Sequence, residues 1–396
     1  MDPRTNPYAP GAGTPPPELS GRDDLIERIA VALDRIRAGR ASRSFVMYGL
    51  RGVGKTVLLN KVRTDAQALN IYAVTVEAPE NRSLPAALAP ALRATLLRLS
   101  RVEAAKDSAG RALRALGGFI GALKLKYQDI ELGLDLAKEE GLADSGDLDH
   151  DLSALMLAVG EAAKAESTAL VLFVDEIQHV AEEQLASLIM SLHACSQAQL
   201  PITMVGAGLP QLLGQMGDAK SYAERLFEFV HVDKLDNESA AAAVEVPASR
   251  ESVGFEDAAI TEIVSKTAGY PYFLQEWGKH AWDIAKASPI TENDAQEATV
   301  RALAELDASF FRVRLDRLTA AEKNYIRAMA ELGPGPHRSG DIAGCLGRRV
   351  ESVAPTRSSL IKKGMIYAPN HGDTAFTVPL FDEYMRRAMP EFQRQN

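Results

Sequence analysis

Cysteine is almost absent from this chain: Cys195 and Cys345 are two residues in 396. A pair so far apart excludes a disulfide framework and a cysteine zinc site, and both read as buried small hydrophobes. Long apolar runs are missing as well. No stretch approaches 18 uncharged apolar residues, so no membrane-spanning helix is expected. The opening segment MDPRTNPYAPGAGTPPPELSGR holds no apolar signal core, and a reducing cytoplasm is the expected location. Nor is there an excess of positive charge. Lys and Arg number 44 against 53 Asp and Glu, a net of −9, which disfavours a protein that coats nucleic acid with its whole surface. What is present is ordinary for a folded chain: 46% hydrophobic and 24% charged residues exclude wholesale disorder. The length predicts two or three domains.

Six of the 20 prolines lie in residues 1–17. Proline lacks an amide donor and fixes φ, so an extended tail laid over a neighbouring surface is expected there. Residues 23–37 place Leu25, Ile26, Ile29, Leu33 and Ile36 at helical spacing. Strand and helix signals then alternate. SFVMY (44–48), IYAVTVE (71–77), LVLFV (170–174) and residues 202–205 read as strands, with helices over 87–99, 147–165 and 185–195. Five apolar residues in a row at 170–174 leave no polar face, which marks a strand buried on both sides. The pattern predicts an α/β fold: a parallel sheet with helices on both faces. ALKLKYQDIELGLDL (122–136) alternates apolar and polar residues and reads as a β-hairpin insertion. After Asp236 the signals turn helical. Residues 316–396 read as three helices and two short strands around a His-Gly-Asp turn. The expected division is a tail (1–17), an α/β core (18–235), an all-α lid (236–315) and a winged helix (316–396).

Gly49-Leu50-Arg51-Gly52-Val53-Gly54-Lys55-Thr56 fits G-x-x-x-x-G-K-[ST]. A polyphosphate is held by backbone N–H groups. Glycines let the backbone approach it, and the following helix points its positive end at the same anion. Lys55 would reach the β- and γ-phosphates, and the Thr56 hydroxyl would ligate Mg²⁺. About one chain in a hundred of this length carries such a match by chance, before counting the strand and helix that flank it. The second half of the site is Asp175-Glu176, delivered by the buried strand. Asp175 would hold Mg²⁺ through water, and Glu176 would orient and deprotonate an attacking water. Standing alone, an Asp-Glu pair could equally cap the next helix; the phosphate loop favours the catalytic assignment.

These motifs resemble the AAA+ and STAND groups of P-loop ATPases over nearly the whole chain. PPELSGRDDLIERI resembles the segment that cradles adenine there, which implies adenine contacts for Leu19, Gly21 and Arg22. DEIQ (175–178) is similar to the acidic motif of archaeal-type STAND ATPases. Gly269-Tyr-Pro271 resembles the lid motif near adenine, implying a contact for Pro271. The helical lid followed by a winged helix resembles origin-recognition and helicase-loader ATPases. The resemblance implies ATP and Mg²⁺ as cofactors, slow ATP hydrolysis, a protein partner and a nucleotide-dependent oligomer. Two features depart from it. The strand after the acidic motif ends in Gly206-Ala207-Gly208 rather than a polar sensor, with Thr203 the nearest polar residue, and GYPYFLQEW lacks the lid sensor arginine. Against that pattern Arg225, in SYAERLFEF, is the candidate to touch the γ-phosphate, in trans or in cis, with a surface ion pair to Glu224 or Glu228 as the equal alternative. Missing sensors fit a slow switch better than a fast ring motor.

Charge is uneven along the chain. Residues 316–396 hold twelve Lys or Arg against nine Asp or Glu, leaving −12 for the rest. Arg348, Arg349 and Arg357 would lie near the N-terminal half of the third helix of a winged helix, the DNA-reading element of that fold. A net of +3 is weak for a DNA binder, and the alternatives are a solvated helix face or docking on the ATPase core. Two further alternatives stand beside the switch ATPase: a DNA-binding regulator or loader that uses ATP structurally, and a chain holding nucleotide permanently. His179, His193 and His231 show no ligand spacing.

Overall fold

The computed structural model describes residues 1–11, 13–78, 83–126 and 139–392. Helix α1 (Asp23–Arg37) leads into β1 (Ser44–Tyr48), α2 (Lys55–Ala68) and β2 (Tyr72–Glu77). Three helices follow, α3 (Leu84–Leu99), α4 (Lys106–Lys126) and α5 (Leu148–Ala165). Then come β3 (Leu170–Asp175), α6 (Glu182–Gln197), β4 (Ile202–Gly208), α7 (Leu212–Ala219), α8 (Ala223–Leu226) and β5 (Phe227–His231).

All five strands pair in parallel, in the order β2-β3-β4-β1-β5. Successive side chains of a strand point to opposite faces, and the continuous apolar runs supply both. Leu170, Leu172 and Val174 of β3 face a core shared with α3, α4, α5 and α6. Val171 and Phe173 face the core made by α1 and α2. Both layers are dry, as a parallel sheet requires.

Two elements differ from expectation. β5 was not foreseen; it is a short edge strand whose middle residues are only half-buried. Residues 122–126 continue α4 rather than open a hairpin. Ala112, Ala115, Leu116, Phe119, Ile120 and Leu123 are all buried at helical spacing, so the helical period runs through the start of the alternating stretch. Residues 127–136 of the expected hairpin lie outside the described residues.

Beyond the sheet come α9 (Asn237–Arg250), α10 (Asp257–Thr267), α11 (Pro271–Ile284), α12 (Glu292–Leu306) and α13 (Arg312–Asp316). The last part runs α14 (Ala320–Leu332), β6 (His337–Arg338), α15 (Ser339–Cys345), α16 (Val350–Lys362), β7 (Ile366–Tyr367), β8 (Asp373–Phe376) and α17 (Phe381–Ala388). Its three strands form an antiparallel sheet in the order β6-β8-β7. The regions on either side of residue 316 share one buried core. Phe311 stacks on Tyr384 at 5.1 Å and meets Phe381 at 5.8 Å, while Arg387 pairs with Asp307 at 2.7 Å.

The proline-rich tail lies along this helical region. Trp282 Nε1 donates to the Asp2 carbonyl at 3.0 Å, and Asn6 donates to the Lys279 carbonyl and to Asp283. Tyr8 is buried and bonds the Val244 carbonyl. Gly278 makes room for its ring: a Cβ there would sit 2.6 Å from it. No helix among the described residues is long and apolar enough to cross a membrane.

Candidate functional site

β1 delivers the glycine loop at the C-terminal edge of the sheet, and β3 delivers its acids at the same edge, one strand away across β4. The loop follows a strained path that glycine permits. Gly54 caps α2 with φ +92°, a region closed to most side chains. A Cβ on Gly49 would collide with the Val232 carbonyl. Lys55 Nζ donates to the carbonyls of Gly49 and Leu50 at 2.9 and 2.8 Å, so these two residues support the lysine from beneath. Burial pushes the Lys55 ammonium down to about 8, against the pull of Glu176 and Asp175.

Thr56 Oγ1 donates to Asp175 Oδ2 at 2.6 Å. The two groups expected to share a metal are thus already adjacent. Burial raises the Asp175 carboxyl, partly offset by that bond and by the Glu176 amide at 2.8 Å. Glu176 occupies the left-handed region (φ +52°, ψ +38°), a conformation that costs a glutamate about 1–3 kcal/mol and marks functional sites. Its carboxylate accepts from Gln178 Nε2 and stands 3.9 Å from Arg51.

A cavity of about 490 Å³ opens over these groups, within the ~300–1,000 Å³ usual for ligand sites. Arg51 to Thr56, Asp175, Glu176, Leu19, Arg22 and Pro271 all line it. Arg22 bonds the carbonyls of Val53 and Asp233. Gly21 does not line it; its φ of +67° shapes the turn, where a Cβ would strike Ser239. Phosphate-facing ammonium, adjacent hydroxyl and carboxylate, and a half-apolar upper wall make a donor set that fits a magnesium nucleoside triphosphate.

The remaining expected residues are not brought here. Arg225 is exposed on α8, outside the cavity, and pairs with neither Glu224 nor Glu228 among the described residues. Glu228 pairs with Arg28 and Arg43 instead. Arg348 and Arg349 are exposed at the N-terminus of α16. Arg357 turns inward, donating to Thr374 at 2.9 Å and to the Asp373 carbonyl at 2.8 Å, and so fastens α16 to β8. Thr203 is buried against Ser44 at 3.1 Å.

Four contributions were missed in the sequence. Gln178 is the polar residue at the tip of β4. It reaches over from β3, accepts from the Leu209 amide at 2.9 Å and donates to Glu176. A side chain at Gly208 would displace it, since a Cβ would lie 2.8 Å from Gln178 Oε1. Arg314 lines the cavity from α13 with its guanidinium 3.8 Å over the Phe310 ring. Burial, and then the facing Arg51, lower its pKa to about 10. Tyr272 lines the cavity and donates its amide to the Gly52 carbonyl at 3.1 Å. Tail residues including Pro10, Gly13 and Thr14 complete the wall. Only the "DEIQ" string and the tail's prolines hinted at any of this.

Residues 18–205 match the AAA ATPase domain family, and residues 308–385 match a domain of unknown function, DUF8462. Among curated proteins none matches the chain in sequence. A Walker-type ATPase of Pyrococcus abyssi is similar in structure: TM-score 0.59 at 16% identity, covering 94% of this chain and 97% of that one. The Orc1 protein of Aeropyrum pernix, solved in complex with DNA, aligns at TM-score 0.49 and 15% identity over 94% of each chain. The RuvB Holliday junction branch migration motor of Thermotoga maritima aligns at 0.43 and 15%, over 94% of this chain and 95% of that one. The fold is that of the P-loop NTPases.

Proposed function

We propose that this chain, whose residues 18–205 match the AAA ATPase domain family, is a Mg²⁺-dependent ATP hydrolase that works as a switch. Lys55 and the amides of residues 52–56 hold the phosphates. Thr56 and Asp175 hold the metal, which when bound would neutralise charge on the phosphates. Glu176, fixed by Gln178 and Arg51, takes the proton of the attacking water. Arg51, held by Glu176, and Arg314 line the same cavity and repel each other, and an anion placed between them would relieve that repulsion. That gives Arg314 the γ-phosphate contact that GYPYFLQEW lacks. Leu19, Arg22 and Pro271 border the base, with Gly21 shaping the turn.

One observation carries the switch: two regions outside the sheet hydrogen-bond to the phosphate loop itself. The Arg51 amide donates to the Thr377 carbonyl at 2.9 Å, and the Tyr272 amide donates to the Gly52 carbonyl. We read residues 236–315 as the lid and 316–396 as a winged helix, and their shared core makes them one moving body. A shift of the loop with nucleotide state therefore reaches both at once. A protein partner that reads this body is the reading we favour, and Arg225, exposed and without an ion pair among the described residues, would serve a neighbouring copy in a nucleotide-dependent oligomer. Equilibrium titration with Mg-ATP tests the site: Lys55→Ala should weaken ATP by more than about 100-fold, the loss of a charge-assisted contact in a dry site. Unchanged affinity would remove the assignment.

A second reading, DNA contact through α16, is favoured by the exposed pair Arg348 and Arg349 at that helix's N-terminus. Arg357, bonded inward, would not take part as expected. A salt-dependent DNA complex lost in the doubly substituted R348A/R349A chain would support this reading; no complex at low salt leaves the protein partner.

A further inference from the structure

Away from the nucleotide cavity, the lid holds a second cluster of ligating side chains. Glu276 and His280 lie four residues apart on α11, so they share one face of the helix. Glu305 meets them from α12. One ligand atom from each lies within 4.8 Å of the other two. His280 Nε2 is 3.1 Å from Glu305 Oε2, near the ~3.4 Å edge of a tetrahedral set with bonds of about 2.1 Å.

The second observation concerns unmet polar atoms. Glu276 is only 7% exposed. Its Oε1 accepts from the Tyr272 hydroxyl at 2.9 Å, but its buried Oε2 has no hydrogen-bond partner among the described residues. His280 Nε2 is also buried and without an aligned hydrogen bond. Leaving a buried carboxylate oxygen unmet is costly, and buried charges are found paired or on metal ions. Lys279 approaches the other oxygen of Glu305, Oε1, at 3.4 Å, which leaves Oε2 facing the imidazole.

We propose that Glu276, His280 and Glu305 bind a divalent transition-metal ion of the zinc class, clamping α11 to α12. One imidazole nitrogen with two carboxylate oxygens is a borderline donor set that suits Zn²⁺. Mg²⁺ prefers octahedral oxygen and keeps its waters. Glu305 is half exposed, so solvent reaches the fourth position. Through Tyr272, whose hydroxyl holds Glu276 and whose amide holds the phosphate loop, the ion would also stiffen the lid side of the cavity. The site stands on its own residues and does not depend on the ATP reading.

The test is calorimetric titration of the full chain, stripped by chelator, with Zn²⁺ alone and no nucleotide. One equivalent should bind, and excess Mg²⁺ should not displace it. His280→Ala and the surface variant Glu305→Gln should each weaken Zn²⁺ by more than about tenfold, with circular dichroism unchanged. No saturable Zn²⁺ binding by the unaltered chain, or equal affinity in both variants, overturns the proposal.

Discussion

The floor of the nucleotide cavity is made by the phosphate loop and the strand ends, its roof by side chains from the tail and the lid. On the floor, two buried parallel strands end at one sheet edge, and glycine loop, Lys55, Thr56 and Asp175 follow from where those strands stop. On the roof, tail and lid residues meet only after the chain has folded over itself. The floor is set by local sequence; the roof is set by packing. Chemistry belongs to the floor, and the roof's contacts with the loop are few single hydrogen bonds, weak enough to change with what the loop holds.

Substitutions on the two sides should therefore behave differently. On the floor, Glu176→Gln removes the base and should cut turnover by about 10²–10⁴-fold while ATP still binds; single-turnover hydrolysis beside a binding titration checks both. Normal turnover would remove Glu176 from the mechanism. On the roof, Arg314→Ala should cost about tenfold in ATP affinity and little in ADP affinity. An equal loss for both nucleotides would place Arg314 away from the γ-phosphate. Near neutrality the smallest effect is a pH dependence, which grows only above about pH 8. Only the protonated Lys55 attracts phosphate, and burial sets its folded pKa near 8. ATP affinity should be fully present below about 8 and fall by up to tenfold per pH unit above it. No loss before the ordinary lysine value of 10.5 would show that the loop does not desolvate the amine.

The same contrast explains what the sequence could tell. The floor was legible because its requirements are short-range: glycines where φ is positive, a lysine and hydroxyl at a helix start, an acid where an apolar run ends. β5 escaped because a half-buried edge strand leaves no continuous apolar run. The start of the expected hairpin escaped because Ala122 and Leu123 fit alternation and helical spacing equally well, and only packing against α3 and α5 decides for the helix. Arg314 escaped because nothing in RVRLD marks it; its role comes from Phe310 beneath it and Arg51 opposite. Gln178 was quoted within a motif, yet its reach to the tip of β4 depends on Gly208, far along the chain.

The most direct test of the switch is amide hydrogen exchange of the Glu176→Gln chain with bound ATP against bound ADP, read over peptides spanning 49–56, 269–276 and 363–378. Protection should change together in all three segments, because one loop holds the lid through Gly52 and the end of β8 through Arg51. A change confined to 49–56, with the other two segments identical in both nucleotides, would contradict it.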